Sequence, residues 1–247
     1  MDGNLIEFAA PGGLATARLF KPATATSKAG IILYMDVFGL RASLASMAAR
    51  LAGEGYTVLL PDLYYRQPDH GSFDPNTAFK EEASNDRLRK LRAETPISAT
   101  QADTDAFIEA LTENGATGPV GTVGYCMGGA RALVAAATAP GRIRAAASFH
   151  GGNLANDDAD SPHLLASHIK ARVYVGSASV DKSFPPEQVA RLAGALTEAQ
   201  VDYAMENYVG MAHGWTVPDH SVYDPAGAER HWTRLTGLFR ETLGTSH

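Results

Sequence analysis

Residues 119–139 read PVGTVGYCMGGARALVAAATA and predict a strand, a glycine-rich turn and a helix in direct succession. The strand is PVGTVGY at 119–125, and the alanine-rich helix is GGARALVAAATA at 128–139. Between them lies Cys126, the single cysteine of this 247-residue chain. A lone thiol at the densest glycine cluster of the sequence suggests a specific use for the turn.

The strand–helix pattern continues on both sides of this stretch. A hairpin is predicted over residues 5–20, with its reversal at PGG (11–13). Further strands are predicted at 29–35, 56–64, 143–151, 171–179 and 201–208, and further helices at 43–55, 77–94, 98–113, 185–199 and 227–243. Strands that alternate with helices imply a mostly parallel sheet with helices on both faces. We therefore predict an α/β fold, as a single domain over residues 1–247 with a surface insertion at 151–170.

Composition and charge narrow the class of function. The formal net charge is −6, whereas nucleic acid selects for basic patches. The N-terminus MDGNLIEFAA lacks the basic and apolar regions of a secretory signal, and the most apolar stretches are too short to span a bilayer. One cysteine cannot form an internal disulfide, which fits a reducing compartment. These features predict a cytoplasmic protein that binds neither nucleic acid nor a membrane.

Three motifs place glycines at a strand-to-helix turn, and their spacing separates them. The dinucleotide fingerprint G-x-G-x-x-G does not fit around Gly124. A phosphate-binding P-loop does not fit because Ala130 and Arg131 stand where Lys and Ser or Thr are required. GYCMG at 124–128 matches G-x-C-x-G, the nucleophile elbow with cysteine in place of serine. The elbow places its thiol at a helix N-terminus, where the helix dipole favours the thiolate form. The alternative interpretation is that Cys126 is a buried cysteine with a purely structural role.

Two later residues complete an arrangement for nucleophilic catalysis. Asp181 follows the strand at 171–179, and His213 follows the strand at 201–208. Both lie at the carboxyl ends of predicted strands, where open α/β sheets build their sites. Asp181 could instead cap a turn, and His213 could be an ordinary loop histidine. The order cysteine, acid, histidine is that of the α/β-hydrolase triad, and it favours catalysis by Cys126, His213 and Asp181.

Segments spread over most of the chain resemble the dienelactone hydrolase family of the α/β-hydrolase superfamily. They are MDVFGL (35–40), GYTVLLPDLYYRQ (55–67), GTVGYCMGGA (121–130), the loop at Asp181 and AHGW (212–215). The resemblance implies an α/β-hydrolase fold, with a mostly parallel sheet flanked by helices on both faces. It also implies that Cys126, His213 and Asp181 open an enol lactone through an acyl-enzyme, without metal or cofactor.

The resemblance adds three further candidates near the thiol. Asp36 stands where the family has a glutamate that takes part in activating the thiol, so its carboxylate is one methylene shorter. We keep Asp36 as a catalytic candidate, although its shorter side chain changes the distance over which the carboxylate can act on the thiol. The oxyanion hole of such folds uses backbone N–H groups directly after the nucleophile and after an early strand. Those positions are Met127 and Val37.

The substrate pocket is where the chain departs from the family. Members that act on carboxylated lactones hold the carboxylate with arginines, one of them shortly after the catalytic histidine. Here HGWTVPDH (213–220) has no arginine, and residues 73–90 offer Lys80 and Arg87 without a clear match. We therefore expect a different, less acidic ester or lactone. Four aromatic residues are candidates for an apolar pocket wall, with core packing as the alternative for each. They are Phe38, Tyr64, Tyr65 and Trp215.

Other functions stay open from the sequence alone. The segment NDDADSPHLLASH (156–168) gathers acids and histidines without the spacing of a calcium or zinc motif, so we predict no metal site. Thiol-based redox chemistry at Cys126 is one alternative to hydrolysis. A non-catalytic ligand-binding protein on the same fold is another. The sequence does not decide between a monomer and a homodimer.

Overall fold

The computed structural model describes residues 3–24, 27–67 and 69–244, and the eight strands within these ranges form one sheet. The strands are β1 (Asn4–Ala10), β2 (Gly13–Phe20), β3 (Gly30–Tyr34), β4 (Thr57–Pro61), β5 (Val120–Tyr125), β6 (Ile143–Phe149), β7 (Arg172–Val180) and β8 (Tyr203–Ala212). Their order across the sheet is β1-β2-β4-β3-β5-β6-β7-β8. The β1–β2 and β2–β4 pairs are antiparallel, and every pair from β4 to β8 is parallel. The predicted α/β fold is confirmed.

Six α-helices are described in the same ranges. They are α1 (Ala42–Gly53), α2 (Glu82–Ala93), α3 (Ile97–Glu113), α4 (Met127–Thr138), α5 (Pro186–Glu198) and α6 (Pro225–Leu243). Gly55, two residues past α1, has a φ of 99°, a left-handed conformation that suits glycine at the end of a helix. The last helix starts with a proline, and its N-cap Asp224 accepts a hydrogen bond from Gly227 N–H at 2.6 Å.

Helices cover both faces of the sheet, as two glycines on neighbouring strands show. A Cβ on Gly30 would meet Leu111 of α3, and a Cβ on Gly121 would meet Phe239 of α6. Gly30 pairs with Val120, the residue before Gly121, so the two glycines lie on opposite faces. Therefore α3 packs on one face of the sheet and α6 on the other. Each helix approaches the sheet closely because the glycine beneath it has no side chain.

The central strands are buried on both faces, which explains their continuous apolar runs. Every residue of β3 and β4 is buried. Because the sheet is parallel from β4 to β8, the loops that follow these strands emerge along one edge. Those loops carry Asp36 after β3, Cys126 after β5, His150 after β6, Asp181 after β7 and His213 after β8. The topology thus gathers polar side chains that are far apart in the sequence.

Two segments differ from the sequence-based expectation. α2 begins at Glu82 instead of residue 77, and turns precede it. In those turns Asp74 Oδ1 accepts a hydrogen bond from Asn76 N–H at 2.8 Å, a local bond that competes with helix formation. The surface insertion contains a 3₁₀ helix at Pro162–His168. Within the described part of the chain, no helix has the length and apolar character needed to cross a membrane.

Candidate active site

The turn between β5 and α4 has the geometry of a nucleophile elbow. Cys126 adopts φ 55° and ψ −118°, and a left-handed φ is costly for any residue except glycine. A Cβ on Gly124 would lie 1.8 Å from the carbonyl oxygen of Gly128. A Cβ on Gly128 would lie 2.3 Å from the carbonyl oxygen of Tyr34. Only glycine fits at these two positions, and the tight turn leaves Cys126 half-buried at the N-terminus of α4.

Asp181 and His213 contact each other across the ends of β7 and β8. His213 Nδ1 lies 2.7 Å from Asp181 Oδ2, and Asp181 Oδ1 accepts a hydrogen bond from Ser183 N–H at 2.7 Å. The Asp181 side chain is 1% exposed, whereas that of His213 is 27% exposed. Because an ionised carboxylate only accepts hydrogen bonds, Nδ1 carries a hydrogen. The second ring nitrogen, Nε2, is left for another partner.

The protonation of His213 depends on that second partner. Burial would lower the pKa of His213, but the combined effects of Cys126 and Asp181 outweigh it, and the charge interaction with Cys126 is the largest of these. Hydrogen bonds with Asp181 and Cys126 act in the same direction, and the pKa rises to about 10. A nearby opposite charge favours the charged form of a histidine. Cys126 and Asp181 therefore both favour the protonated form of the His213 imidazole.

One pocket of about 760 Å³ has Cys126 and His213 in its lining. Of the four aromatic candidates, Phe38 lines this pocket. Tyr65 instead donates a hydrogen bond to Asp103 Oδ1 at 2.9 Å, away from the pocket. The volume is large enough for a small organic substrate beside the thiol.

Tyr64 and Trp215 lie behind the pocket and not in its lining. Both side chains are completely buried. Tyr64 donates a hydrogen bond to the carbonyl oxygen of Val37 at 2.8 Å. Trp215 packs against the rings of His150 and Tyr208, with centroid separations of 5.1 and 4.7 Å. These contacts support the pocket wall from inside the core, and they leave no face of either ring to a ligand.

The two amides predicted for an oxyanion hole are available as donors. Val37 and Met127 both line the pocket, and their N–H groups donate to no acceptor among the described residues. Met127 is the first residue of α4, a position whose N–H has no partner within the helix. Paired amide donors beside a nucleophile match what a developing oxyanion requires.

Asp36 lies in a buried ionic network beside the pocket. Its carboxylate accepts hydrogen bonds from Arg41 Nη1 and Nη2 at 2.7 and 2.8 Å and from Phe38 N–H at 2.9 Å. His220 Nε2 lies 3.3 Å from Asp36 Oδ2. Arg41 also donates to Asp219 at 2.7 Å, so this guanidinium joins two carboxylates.

This network sets the charge state of Asp36. Burial would raise the pKa of Asp36, but the hydrogen bonds and charges of Arg41 and His220 lower it below its ordinary value. Among the described residues, no hydrogen bond joins the Asp36 carboxylate to Cys126. The structure therefore places the predicted activating acid in a bidentate ion pair with Arg41, and Cys126 contacts other groups.

His150 is a neighbour of the thiol that the sequence did not reveal. It has a φ of 39° and is fully buried, and its Nδ1 accepts a hydrogen bond from Cys126 N–H at 3.1 Å. Its Nε2 therefore carries the hydrogen and donates to Thr216 Oγ1 at 2.8 Å. The ring lies edge-on to His213 with a centroid separation of 5.1 Å. Burial lowers the pKa of His150 well below its ordinary value, and the charges of nearby histidines act in the same direction. As a neutral group, His150 therefore connects the loop after β5, at Cys126, with the loop after β8, at Thr216.

Arg131 is a second pocket residue that the sequence did not reveal. It lies on α4, lines the pocket and is 6% exposed. One feature of the sequence could have identified Arg131, because it is the only charged residue between positions 127 and 139. A charge in an alanine-rich helix that packs on a sheet is unusual enough to single out.

The acidic segment 156–168 shows no site for a metal ion. In residues 3–24, 27–67 and 69–244, no group of three or more His, Cys, Asp or Glu side chains is arranged to hold one. Asp157 instead pairs with Arg191 at 2.6 Å, and His163 Nδ1 lies 2.9 Å from Ser161 Oγ.

The fold and these residues together define the class of protein. A mostly parallel sheet, an elbow after β5, and an acid and a histidine after β7 and β8 are the arrangement of an α/β-hydrolase. The model of the dienelactone hydrolase family matches residues 15–243. The chain belongs to the dienelactone hydrolase family, and it is a hydrolase that acts on lactone or ester bonds of a small molecule.

Similar proteins agree with this assignment. A carboxymethylenebutenolidase-like protein of Synechocystis sp. is 27% identical over 218 residues, which cover 86% of this chain and 86% of that protein. The carboxymethylenebutenolidase of Pseudomonas putida is 32% identical over 122 residues, which cover 49% of each chain. A solved dienelactone hydrolase-like structure from Klebsiella pneumoniae has a TM-score of 0.81 at 23% identity and covers 96% of this chain and 98% of its own. That structural likeness shows the same fold.

Proposed function

We propose that this protein hydrolyses a lactone or carboxylic ester by nucleophilic catalysis, through a thioester between the substrate acyl group and Cys126. The observation that carries the proposal is the shared pocket of the Cys126 elbow and His213, with His213 Nδ1 2.7 Å from Asp181 Oδ2. A nucleophile, a base and a group that orients the base are the parts that such catalysis needs.

In the first half-reaction, the Cys126 thiolate attacks the carbonyl carbon and a C–S bond forms. The carbonyl electrons move to oxygen, and the N–H groups of Val37 and Met127 stabilise the resulting oxyanion. When the oxyanion collapses, the bond from carbon to the leaving oxygen breaks. His213 gives its Nε2 proton to that oxygen, which in a lactone remains attached to the acyl chain.

In the second half-reaction, water hydrolyses the thioester. Neutral His213 takes a proton from water as the water oxygen bonds to the carbonyl carbon. The C–S bond then breaks, the carboxylic acid leaves, and the thiolate faces a protonated imidazole again. Asp181 stabilises that imidazolium, and when His213 is neutral the bond to Nδ1 fixes the tautomer of the imidazole. The raised pKa of His213 supports a protonated imidazole as the proton donor of the first half-reaction.

The test is hydrolysis of a neutral aryl ester, a neutral lactone and a carboxylated dienelactone by wild type, Cys126→Ala and Cys126→Ser. We expect turnover of at least one substrate by wild type and its loss in Cys126→Ala. Rapid quenching and mass spectrometry should find the acyl group on the peptide that contains Cys126. Equal turnover by wild type and Cys126→Ala contradicts the proposal. Stoichiometric thiol titration without turnover favours a redox or binding role instead.

A further inference from the structure

The hydroxyl of Tyr64 reaches both residues whose amides are the candidate oxyanion-hole donors. Tyr64 donates a hydrogen bond to the carbonyl oxygen of Val37 at 2.8 Å, and the same hydroxyl oxygen lies 3.9 Å from Sδ of Met127. Val37 and Met127 line the pocket, whereas Tyr64 is completely buried and lies outside the lining. Tyr64 therefore acts from behind the pocket wall, where a substrate does not touch it.

The order of the strands explains how one side chain can reach both residues. β3 lies between β4 and β5 in the sheet, and the three strands are parallel. Tyr64 follows β4, Val37 follows β3 and Met127 follows β5. Neighbouring strands are about 4.8 Å apart, so a long side chain from the loop after β4 can cross the loop after β3 and meet a long side chain from the segment after β5.

The peptide unit between Val37 and Phe38 is held at both of its polar ends. Its carbonyl oxygen accepts the hydrogen bond from Tyr64, and its N–H, which belongs to Phe38, donates to Asp36 Oδ1 at 2.9 Å. Arg41 fixes the Asp36 carboxylate in turn. Only two rotatable backbone bonds join this peptide to the one that carries the Val37 N–H. Holding the first peptide therefore limits the directions in which the Val37 N–H can point.

The Tyr64 hydroxyl stays neutral beside the thiol. Burial raises the pKa of Tyr64 above its ordinary value, and the charge of Cys126 acts in the same direction. A neutral tyrosine hydroxyl carries one hydrogen, and this hydrogen is used on the carbonyl oxygen of Val37. Tyr64 therefore holds the backbone and does not itself donate to a substrate oxyanion.

We propose that Tyr64 is a positioning residue of the oxyanion hole, which aims the Val37 N–H at the same point as the Met127 N–H. This role rests on the proposed function, because the oxyanion forms when Cys126 attacks a carbonyl carbon. Fixed donors stabilise an oxyanion strongly because they need not reorient when the charge develops. Without the hydroxyl, the peptide after Val37 is held at one end only, and the Val37 N–H loses its fixed direction.

The first experiment measures the reversible adduct of 2,2,2-trifluoroacetophenone by ¹⁹F NMR. The Cys126 thiolate forms a C–S bond to the ketone carbon, and the carbonyl electrons move to oxygen with no leaving group. Tyr64→Phe removes the hydroxyl and keeps the ring that packs edge-on against His70. Tyr56→Phe is the matched control, because Tyr56 is also completely buried and its hydroxyl has no hydrogen-bond partner among the described residues.

We expect Tyr64→Phe to raise the dissociation constant of the adduct about ten- to a hundred-fold, less than the loss of a whole oxyanion-hole donor would. Tyr56→Phe should change it by less than about three-fold. Alkylation of Cys126 by iodoacetamide is displacement at a saturated carbon and forms no oxyanion, so its rate should be the same in all three proteins. Equal adduct stability in wild type and Tyr64→Phe overturns the proposal. Parallel losses of adduct stability and alkylation rate also overturn it, because they indicate a disturbed thiol.

The second experiment measures kcat and KM for 4-nitrophenyl acetate. Both half-reactions pass through an oxyanion, so Tyr64→Phe should lower kcat about ten- to a hundred-fold and change KM by less than about three-fold. If wild type hydrolyses the ester and Tyr64→Phe matches it in both experiments, the positioning role fails while the proposed function stands. If wild type forms the ketone adduct without hydrolysing any ester, and Tyr64→Phe weakens that adduct, hydrolysis fails while the positioning role stands. Absence of the adduct in wild type contradicts both.

Discussion

Two arginines near the pocket, Arg41 and Arg131, both have little-exposed side chains but differ in their partners. Arg41, in the loop after β3, is 8% exposed at its side chain and joins the carboxylates of Asp36 and Asp219. Arg131, on the helix after β5, is 6% exposed and has a single backbone acceptor. Burial lowers the pKa of both, but the bonds to carboxylates reverse the effect at Arg41 and raise its pKa.

The difference separates a cation that is paired with carboxylates of the chain from one whose acceptor among the described residues is a single backbone carbonyl. At Arg41 every charge has its counter-charge within the chain, and the network ties the loop after β3 to residues 219 and 220. At Arg131 none of the carboxylates that the structure describes lies within ion-pair distance, and two of the guanidinium nitrogens have no acceptor. Four measurements test this difference between the two arginines.

The largest effect is expected from Arg41→Met. This change leaves Asp36 and Asp219 without their shared cation, and the unpaired carboxylate of Asp36 is fully buried. The free energy of unfolding should fall by about 3–5 kcal/mol in urea titrations at pH 7. The control is Arg50→Met, which removes an exposed pair with Glu229 and should cost no more than about 1 kcal/mol. Similar losses in the two variants would show that the network around Asp36 is not structural.

Asp181→Asn should produce the next largest effect, on the titration of His213. The hydrogen bond and charge of Asp181 help to hold the pKa of His213 at about 10, so their loss should move it toward 6.5. Histidine NMR spectra recorded against pH measure this shift. Asp62→Asn is the matched control, because Asp62 contacts His70 at 2.8 Å and raises the pKa of that histidine. It should lower the His70 value only. An unchanged His213 pKa in Asp181→Asn would remove the basis for Asp181 as its partner.

A smaller effect is expected from Asp36→Asn, and it should depend on pH. The folded protein lowers the pKa of Asp36 below its ordinary 3.8, so the ionised carboxylate stabilises the fold above that pH. This stabilisation is lost as the pH falls through the lowered value. At pH 7 the variant should be less stable by about 1–3 kcal/mol, and the difference should narrow below pH 4. Urea titrations between pH 3 and 7 would reveal it, and a constant difference would contradict the ionised state of Asp36.

Arg131→Met should have the smallest effect, and in the opposite direction. Removing an unpaired buried charge should leave the free energy of unfolding unchanged or raise it by about 1 kcal/mol. The lost hydrogen bond to Thr95 offsets part of the gain. Thermal and urea unfolding without ligand would measure the difference. A loss as large as that of Arg41→Met would mean that Arg131 holds the structure too, and the contrast between the two arginines would fail.

The sequence predicted the order of strands and helices because local patterns carry that information. Buried parallel strands appear as apolar runs, and β3 and β5 lie within one residue of their expected ends. The start of α2 was wrong by five residues because local turns at 74–81 compete with the helix. Gly124 and Gly128 also predicted the tight turn, since a side chain at either position would collide with backbone atoms.

The amino-acid sequence was sufficient to predict that Cys126, Asp181 and His213 follow strands of a parallel sheet, because chain order and strand direction bring the ends of such strands to one edge. The contacts of these residues and their neighbours depend instead on the packing of the folded chain. Asp36 meets Asp219 through Arg41, across more than 180 positions of sequence. Tyr64 and Trp215 are buried, and Arg131 pairs with no carboxylate of the described residues, because packing between distant segments sets exposure and counter-charges. The lone charge of Arg131 in an apolar helix is visible in the sequence, but contacts between distant segments leave no periodic or local pattern that identifies the partners.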